Sequence, residues 1–119
     1  MRAALLVMIG GAIGAAVRWS VHEVLPSDPG RFPWGTFVVN VAGCVAIGLL
    51  ARRVTRGSDA WAGLVVGGLG GLTTFSAFAV ETRLLLADDR PEIAAVYVAA
   101  TLVVGIGATE LARPPGGRS

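Results

Sequence analysis

Charged residues are scarce in this sequence, and lysine does not occur in it at all. Only 15% of the 119 residues are charged, whereas roughly a quarter are charged in ordinary soluble domains. The single cysteine excludes a disulfide scaffold, and a net charge of +2 argues against a protein that binds nucleic acid. Hydrophobic residues make up 54% of the chain, which excludes an intrinsically disordered protein as well.

The apolar excess indicates the class of the protein. A chain of 119 residues allows one domain. Soluble domains of this size bury only about two thirds of the surface that their unfolded chains expose. Much of the apolar surface would therefore face water unless the surrounding solvent were lipid. The composition predicts an all-helical integral membrane protein.

Four apolar stretches are long enough to cross a bilayer, whose core of about 30 Å needs about 20 helical residues. Their approximate bounds are 3–24, 33–51, 60–80 and 93–111. Short polar loops separate them, so residues 1–119 are predicted to form a single four-helix membrane domain. The alternative for the first stretch is a signal peptide, because Arg2 precedes an apolar run that ends in small residues. Its removal would leave three spans.

The arginines give only a weak signal for the orientation of the chain. Six lie on one side of the predicted spans and four on the other. The six are Arg2, Arg52, Arg53, Arg56, Arg113 and Arg118, and the four are Arg18, Arg31, Arg83 and Arg90. Because the side richer in arginine stays in the cytoplasm, so small a bias leaves insertion in both orientations open.

Glycine is abundant and is spaced for close packing of helices. Gly10 and Gly14 form a GxxxG pair in the first span, and Gly63, Gly67 and Gly71 form two overlapping pairs in the third. Helices in lipid associate through such small residues, because no hydrophobic force drives them together. The spacing predicts a tight bundle, and so small a bundle is expected to self-associate.

The third span contains a sequence that helix packing does not require. Four glycines among residues 67–71 are followed by Thr73, Thr74 and Ser76. This pattern predicts a helix that breaks at mid-membrane, which is tolerated only where the freed backbone lines a cavity, packs in protein or holds an ion. A continuous glycine-rich helix is the alternative. No phosphate-binding glycine motif occurs.

The polar residues at membrane depth are hydrogen-bond donors more often than acids. Asn40 offers two amide donors, and an interhelical hydrogen bond is one interpretation of it. Phe75 and Phe78 share a helix face, where positive ring edges can solvate an anion as well as pack in a core. Arg18 is predicted to set a positive potential at a pore mouth, with snorkelling to the interface as the alternative. The donors favour an anion as the transported species.

Three stretches stand out together by their order and spacing. They are Gly10-Gly11-Ala12-Ile13-Gly14-Ala15 with Arg18, Trp34-Gly35-Thr36 followed by Val39-Asn40 and Gly43, and Gly70-Gly71-Leu72-Thr73-Thr74-Phe75-Ser76-Ala77-Phe78 with Glu81. Across essentially the whole chain, the sequence resembles the CrcB/Fluc family of fluoride channels.

The resemblance implies a fluoride-selective channel, not an enzyme, that passively exports fluoride through a bacterial cell membrane and lowers its cytoplasmic concentration. It further implies an antiparallel, dual-topology dimer of four-helix subunits with two fluoride pores and a structural sodium ion. The near balance of arginines agrees with dual insertion. The partner would be an identical chain, or the product of a paralogous gene.

The resemblance also assigns roles to individual residues. Asn40, Phe75, Phe78 and Tyr97 correspond to the fluoride pathway, and the backbone carbonyls of Gly70 and Thr73 correspond to the sodium ligands. Members of the family usually carry a threonine where this chain has Ala77. We therefore expect Ser76 and Thr101 to supply the hydroxyl groups of the pathway.

Two other classes of protein remain as alternatives. A small four-span, proton-coupled multidrug exporter would need an acidic residue deep in the first span, and that span has none before Glu23. An accessory subunit without transport of its own would not need the polar interruption in the third span.

Overall fold

The computed structural model describes residues 1–113 and 115, so Arg118 lies outside the described residues. The described residues form helices and loops, without a β-strand among them. The helices are α1 (Arg2–Val24), α2 (Trp34–Leu50), α3 (Asp59–Trp61), a π-helical segment π1 (Ala62–Leu69), α4 (Gly70–Leu72), α5 (Phe75–Ala87) and α6 (Pro91–Ala112).

Among the described residues, three helical stretches are long and apolar enough to cross a membrane. They are α1, the stretch Asp59–Ala87 that runs from α3 to α5, and α6. Helix α2 is also apolar, but with 17 residues it is shorter. The described residues are therefore all-helical, with three to four apolar helices that are compatible with a membrane protein. Their bounds lie close to the predicted spans, except that α5 continues to Ala87, beyond residue 80.

Local sequence explains where several helices begin and end. The loop before α2 turns at Gly30, whose φ of +74° a residue with a side chain rarely adopts. Ser58 caps α3 by accepting a hydrogen bond from the Trp61 N–H at 3.1 Å. Pro91 occupies the first turn of α6, where its missing N–H costs nothing.

Glycines bring α1 and the third span into backbone contact. A Cβ atom on Gly10 or Gly14 would collide with a carbonyl oxygen of π1, and one on Gly71 would collide with the carbonyl oxygen of Gly11. A Cβ atom on Gly67 would lie 2.6 Å from the Val7 carbonyl oxygen. The predicted GxxxG packing is thus confirmed between these helices. We call this contact the glycine seam and define it by Gly10, Gly14, Gly67 and Gly71.

A second close contact joins α2 to α6. A Cβ atom on Gly48 would lie 2.5 Å from Ala112 Cβ, and one on Gly105 would lie 3.4 Å from Cys44 Sγ. The Thr109 hydroxyl donates to the Gly105 carbonyl at 3.0 Å, within its own helix. Small residues in α6 therefore also allow close packing against a neighbouring helix.

The two ends of the bundle differ in charge. Because Arg2 pairs with Asp59 at 3.1 Å and Gly48 packs against Ala112, the chain termini and the α2–α3 loop share one end. Its described charges are Arg2, Arg52, Arg53, Arg56, Arg113, Asp59 and Glu110. The other end carries Arg18, Arg31, Arg83, Arg90, Glu23, Asp28, Glu81, Asp88, Asp89 and Glu92. The first end is thus net positive, and the second is net negative.

Candidate functional site

The third span changes its backbone conformation between α4 and α5. Thr73 has φ −84° and ψ 156°, and Thr74 has φ −148° and ψ 119°, which are the dihedral angles of extended chain. Thr73 still donates its N–H to the Leu69 carbonyl at 2.9 Å, and its hydroxyl donates to the same oxygen at 2.8 Å. These two extended residues are the extended segment, around which the candidate site is built.

Asn40 holds the extended segment from α2. Its amide Nδ2 donates to the Thr74 carbonyl at 3.0 Å, and its Oδ1 accepts from the Thr74 N–H at 2.8 Å. In a continuous helix the Thr74 N–H would donate to the Gly70 carbonyl. Asn40 therefore replaces helical hydrogen bonds with a two-way bridge, which confirms the interhelical interpretation of this residue.

Arg18 approaches the extended segment from α1. Its guanidinium donates to the Thr73 carbonyl at 3.4 Å, and the side chain is half-buried. A charged donor at this carbonyl compensates an oxygen that no longer belongs to a helical ladder. Arg18 thus lies beside the extended segment, and its positive charge is closest to the Thr73 carbonyl.

Thr74 begins α5 as its N-terminal cap. The Thr74 hydroxyl accepts from the Ala77 N–H at 3.1 Å and lies 3.2 Å from the Ser76 hydroxyl. An extended threonine before a helix is a preferred cap. The two hydroxyls form a short polar row at the start of α5. The row ends at Ala77, which has no hydroxyl group.

Aromatic rings form a continuous row from the extended segment into the core. The rings of Phe75 and Phe78 are 5.9 Å apart, and those of Phe78 and Tyr97 are 5.1 Å apart. Phe32 then contacts Tyr97 edge-on at 5.3 Å. Phe75 is 80% exposed whereas Tyr97 is fully buried, so the row leads from the molecular surface inward.

A groove of about 450 Å³ runs beside the extended segment. The sequence-predicted residues in its lining are Asn40, Gly70, Thr73, Phe75, Phe78 and Thr101. The Thr101 hydroxyl oxygen is buried and has no hydrogen-bond partner among the described residues. The structure thus brings six of the nine predicted site residues together. Ser76, Tyr97 and Arg18 lie next to them without lining the groove.

A second group of polar side chains surrounds Glu81, one turn beyond Phe78. Tyr97 donates its hydroxyl to Glu81 Oε2 at 2.7 Å, and Thr36 donates to Oε1 at 2.8 Å. Ser27 adds a third hydroxyl at 3.2 Å from Oε1. Thr36 and Tyr97 are both fully buried. Three donors on one carboxylate can compensate the loss of water around it.

His22 extends this group to α1. Its Nε2 lies 3.0 Å from the Thr36 hydroxyl oxygen, and its Nδ1 lies 2.9 Å from the Arg18 carbonyl oxygen. We call the set of His22, Ser27, Thr36, Glu81 and Tyr97 the Glu81 cluster. Sequence reasoning missed it as a unit, because its members come from five separate parts of the chain. The signal that was present is a carboxylate at the end of a span that is otherwise free of charge.

The Glu81 cluster opens to the surface through a cavity of about 280 Å³. Asp28, Arg31 and Asp88 line this cavity together with Glu81. The carboxylate therefore lies between a buried set of donors and an open, charged mouth at the negative end of the bundle.

Sequence comparison relates the chain to a known family. Residues 5–113 match the family described as "CrcB-like protein, Camphor Resistance (CrcB)". A "Fluoride-specific ion channel FluC" from Novosphingobium aromaticivorans is 42% identical over 112 residues, which are 89% of this chain and 89% of the relative.

Two further relatives carry similar descriptions. "Fluoride-specific ion channel FluC 2" from Nocardia farcinica is 40% identical over 116 residues, covering 90% of this chain and 79% of the relative. "Fluoride-specific ion channel FluC" from Oceanobacillus iheyensis is 42% identical over 111 residues, covering 90% and 85%. The similarity extends over most of both chains in each case.

Proposed function

Because the chain belongs to the CrcB-like protein family, we propose that it is a fluoride-specific ion channel of a bacterial cell membrane. It carries fluoride passively out of the cytoplasm and lowers the concentration there. The carrying observation is the match of residues 5–113 to this family. A proton-coupled multidrug exporter is not supported, since the matched relatives are named as fluoride channels.

The groove beside the extended segment suits a small anion. Asn40, Thr101, Phe75 and Phe78 surround it with an amide, a hydroxyl and two aromatic rings. Amide and hydroxyl hydrogens and the positive edges of aromatic rings all attract an anion. None of these groups carries a full positive charge, so fluoride would bind without being trapped. We assign the fluoride pathway to these residues together with Ser76 and Tyr97.

Tyr97 contributes to this pathway through its ring. Its hydroxyl hydrogen is already donated to Glu81, whereas its ring faces Phe78 at 5.1 Å. Arg18 adds a positive charge next to the extended segment, which raises the local concentration of anions. Because Tyr97 contacts both Phe78 and Glu81, the buried end of the aromatic row is continuous with the Glu81 cluster.

The working unit of this proposal is an antiparallel homodimer with dual topology. The groove lies open on one side of the single chain, and Phe75 is 80% exposed at its edge. A second copy would close it. In an inverted copy, the net negative end would lie beside the net positive end of the first, so the charges are complementary.

The extended segment would then interrupt the third span at the middle of the membrane. Thr73 has fourteen residues on either side within the apolar stretch Asp59–Ala87. Irregular backbone at that depth requires protein or a cavity beside it. Both the groove and the proposed second copy meet this requirement.

A structural sodium ion fits the carbonyl groups of Gly70 in α4 and Thr73 in the extended segment. The Gly70 carbonyl lacks its helical donor because the Thr74 N–H is bound to Asn40, and the space around Gly70 is open. The Thr73 carbonyl has a long contact with Arg18 at 3.4 Å, which a cation could replace. Sodium prefers several oxygen ligands, so Gly70 and Thr73 from both copies would hold it.

Liposomes test the activity. Purified protein is reconstituted into vesicles loaded with fluoride or chloride, and the release of each ion is followed with an ion-selective electrode. We expect rapid loss of fluoride that a proton uncoupler leaves unchanged, and little loss of chloride. Absence of fluoride release, or release of chloride at a similar rate, would overturn the proposal.

Matched aromatic variants test the pathway. Phe75→Ile removes an exposed ring from the groove, whereas Trp19→Ile removes a ring that is 66% exposed on α1. We expect Phe75→Ile to slow fluoride release strongly and Trp19→Ile to leave it near the original rate. Equal rates in both variants would show that the groove is not the pathway.

Reporter fusions and chain counting test the assembly. A reporter fused to the C-terminus should be active on both sides of the membrane if the chain inserts in both orientations. Light scattering in detergent should give the mass of two chains. Activity on one side only would exclude the dual-topology homodimer and favour a paralogous partner.

A further inference from the structure

The contacts of His22 bear on which of its two ring nitrogens carries a hydrogen. His22 Nδ1 lies 2.9 Å from the Arg18 carbonyl oxygen, which can only accept a hydrogen bond. If this contact is a hydrogen bond, the Nδ1 atom carries the proton. His22 Nε2 lies 3.0 Å from the Thr36 hydroxyl, which can either donate or accept.

Thr36 has a single hydroxyl hydrogen for two neighbours. Its oxygen lies 2.8 Å from Glu81 Oε1 and 3.0 Å from His22 Nε2. If Glu81 is ionised, Thr36 donates to it, and His22 must donate to Thr36 through a second ring proton. If His22 is neutral, it accepts from Thr36, and Glu81 must carry a proton to donate to Thr36. A neutral His22 with an ionised Glu81 leaves one contact without a hydrogen.

We propose that His22, Thr36 and Glu81 form one proton-binding unit, in which a single proton resides on the imidazole or on the carboxyl group. The buried Thr36 hydroxyl connects the two ends. Loss of the proton breaks one of the two hydrogen bonds of the Thr36 hydroxyl, so that His22 and Glu81 are no longer connected through it. The proton leaves to water through the cavity that Glu81 lines.

The charged groups near this unit come from α1, from the loop before α2 and from the end of α5. On α1 they are Arg18 and Glu23, one turn before and one residue after His22. The loop before α2 contributes Asp28 and Arg31, and α5 ends near Asp88, all at the cavity mouth. Packed against the unit, α2 presents Thr36 and α6 presents the Tyr97 hydroxyl. The proton therefore decides whether the Glu81 charge is balanced by a positive charge on His22 or only by hydrogen-bond donors.

This unit gives the proposed channel a response to pH, an extension that rests on the proposed function. With the proton bound, the unit has no net charge. Without it, a carboxylate that no imidazolium charge balances lies at the inner end of the aromatic row and repels an approaching anion. Fluoride flux should then fall as the pH rises through the loss of this proton.

Nuclear magnetic resonance tests proton binding directly, because the chain has a single histidine. Protein labelled with 15N-histidine and 13C-glutamate is reconstituted in lipid, and its spectra are followed from about pH 5 to about pH 8, where histidines titrate. At the acidic end we expect either a doubly protonated imidazole or a protonated Glu81 carboxyl. The Glu81 signal is identified by its absence in Glu81→Gln.

Two variants uncouple the unit. In Glu81→Gln the amide donates to Thr36, Thr36 donates to Nε2, and the ring becomes neutral with its proton on Nδ1. Thr36→Val removes the connection, and Thr82→Val is its control, because the Thr82 hydroxyl donates only within α5, to the Phe78 carbonyl at 2.8 Å. Glu81→Gln keeps the test decisive if Thr36→Val fails to fold.

Three results decide the proposal. A neutral imidazole together with an ionised Glu81 at every pH in this range would overturn it, as would titration curves that Glu81→Gln leaves unchanged. A fluoride flux that falls by about threefold or more towards alkaline pH, and that His22→Gln makes independent of pH, would support the regulatory part. Rates are corrected with protein-free vesicles, because neutral hydrogen fluoride crosses lipid unaided. If the original chain does not conduct fluoride at all, the proposed function fails while the spectra still decide on the proton.

Discussion

The glycine seam and the Glu81 cluster hold this small bundle together in opposite ways. In the seam, α1 meets the third span backbone to backbone, and no side chain lies between the two helices at Gly14 or Gly71. In the cluster, side chains from α2, α6 and one loop donate to the carboxylate of Glu81 on α5, and His22 of α1 contacts one of these donors. The seam depends on the absence of side-chain atoms at its glycines. The cluster depends on hydrogen bonds among polar side chains that are shielded from water.

This difference determines how each region responds to substitution. A seam of glycines tolerates no added atom, because a backbone carbonyl cannot move aside as the end of a flexible side chain can. A polar cluster tolerates added volume better than the loss of one partner, since the remaining groups are left buried without hydrogen bonds. The seam is therefore expected to control folding, and the cluster to control conduction and its pH dependence.

The largest effect is expected from Gly14→Ala in the seam. The added methyl group would collide with the Gly68 carbonyl oxygen and lie 2.8 Å from the Leu72 N. Separating the helices forfeits the whole contact, so we expect a loss of about 3 kcal/mol or more in the free energy of unfolding. Thermal unfolding in detergent and the yield of folded protein would measure this loss.

Gly107→Ala is the matched control for the seam. Gly107 lies within α6, and a Cβ atom there would meet nothing within 4 Å. Because alanine favours helix over glycine by about 1 kcal/mol, this variant should be as stable as the original chain or slightly more so. Equal losses in both variants would mean that the seam is not a tight contact.

The sequence predicted the seam because regular spacing is a local signal. Gly10 and Gly14 are four residues apart, so they must share one helix face whatever the rest of the chain does. The helices themselves follow from the length of the apolar stretches. The π-helical segment Ala62–Leu69 was not predicted, because a change from i+4 to i+5 hydrogen bonding leaves the apolar pattern almost unaltered.

The sequence could not predict the Glu81 cluster in the same way. His22, Thr36 and Tyr97 lie far apart in the chain, and their meeting depends on how the helices pack. Asn40 was within reach of prediction, since an amide at membrane depth must find a partner. Its partner, the backbone of Thr74, follows only from the extended conformation of that residue.

Asn40→Asp tests a third contact, outside the seam and the cluster, in which Asn40 joins α2 to the third span. An aspartate still accepts from the Thr74 N–H but cannot donate to the Thr74 carbonyl while ionised. We expect the variant to lose about 2 kcal/mol of stability, and fluoride release to slow strongly because a negative charge enters the groove. Liposome flux and chemical unfolding measure the two effects separately. Unchanged flux would remove Asn40 from the pathway.

Tyr97→Phe removes one donor from the Glu81 cluster and keeps the aromatic row. Phenylalanine preserves the ring contacts with Phe32 and Phe78, while the 2.7 Å bond to Glu81 Oε2 is lost. Hydrogen bonds to charged groups contribute about 1.5–3 kcal/mol, so a loss near the lower value is expected with the seam intact. Folded yield should therefore stay close to that of the original chain. A loss as large as that of Gly14→Ala would contradict the division between the two regions.

Thr101→Val is expected to have a small effect on stability and to act mainly on function. The Thr101 hydroxyl is buried without a partner among the described residues, and it lies in the lining of the groove. Valine has nearly the same shape, so its substitution removes an unsatisfied polar group, and stability should change by about 1 kcal/mol or less, in either direction. If this hydroxyl hydrates fluoride in place of the one missing at Ala77, release slows in Thr101→Val, and a second change, Ala77→Thr, restores part of the rate. If Thr101→Val conducts like the original chain, the hydroxyl serves neither the fold nor the ion, and the hydrogen-bond donors of the pathway are limited to Asn40 and Ser76.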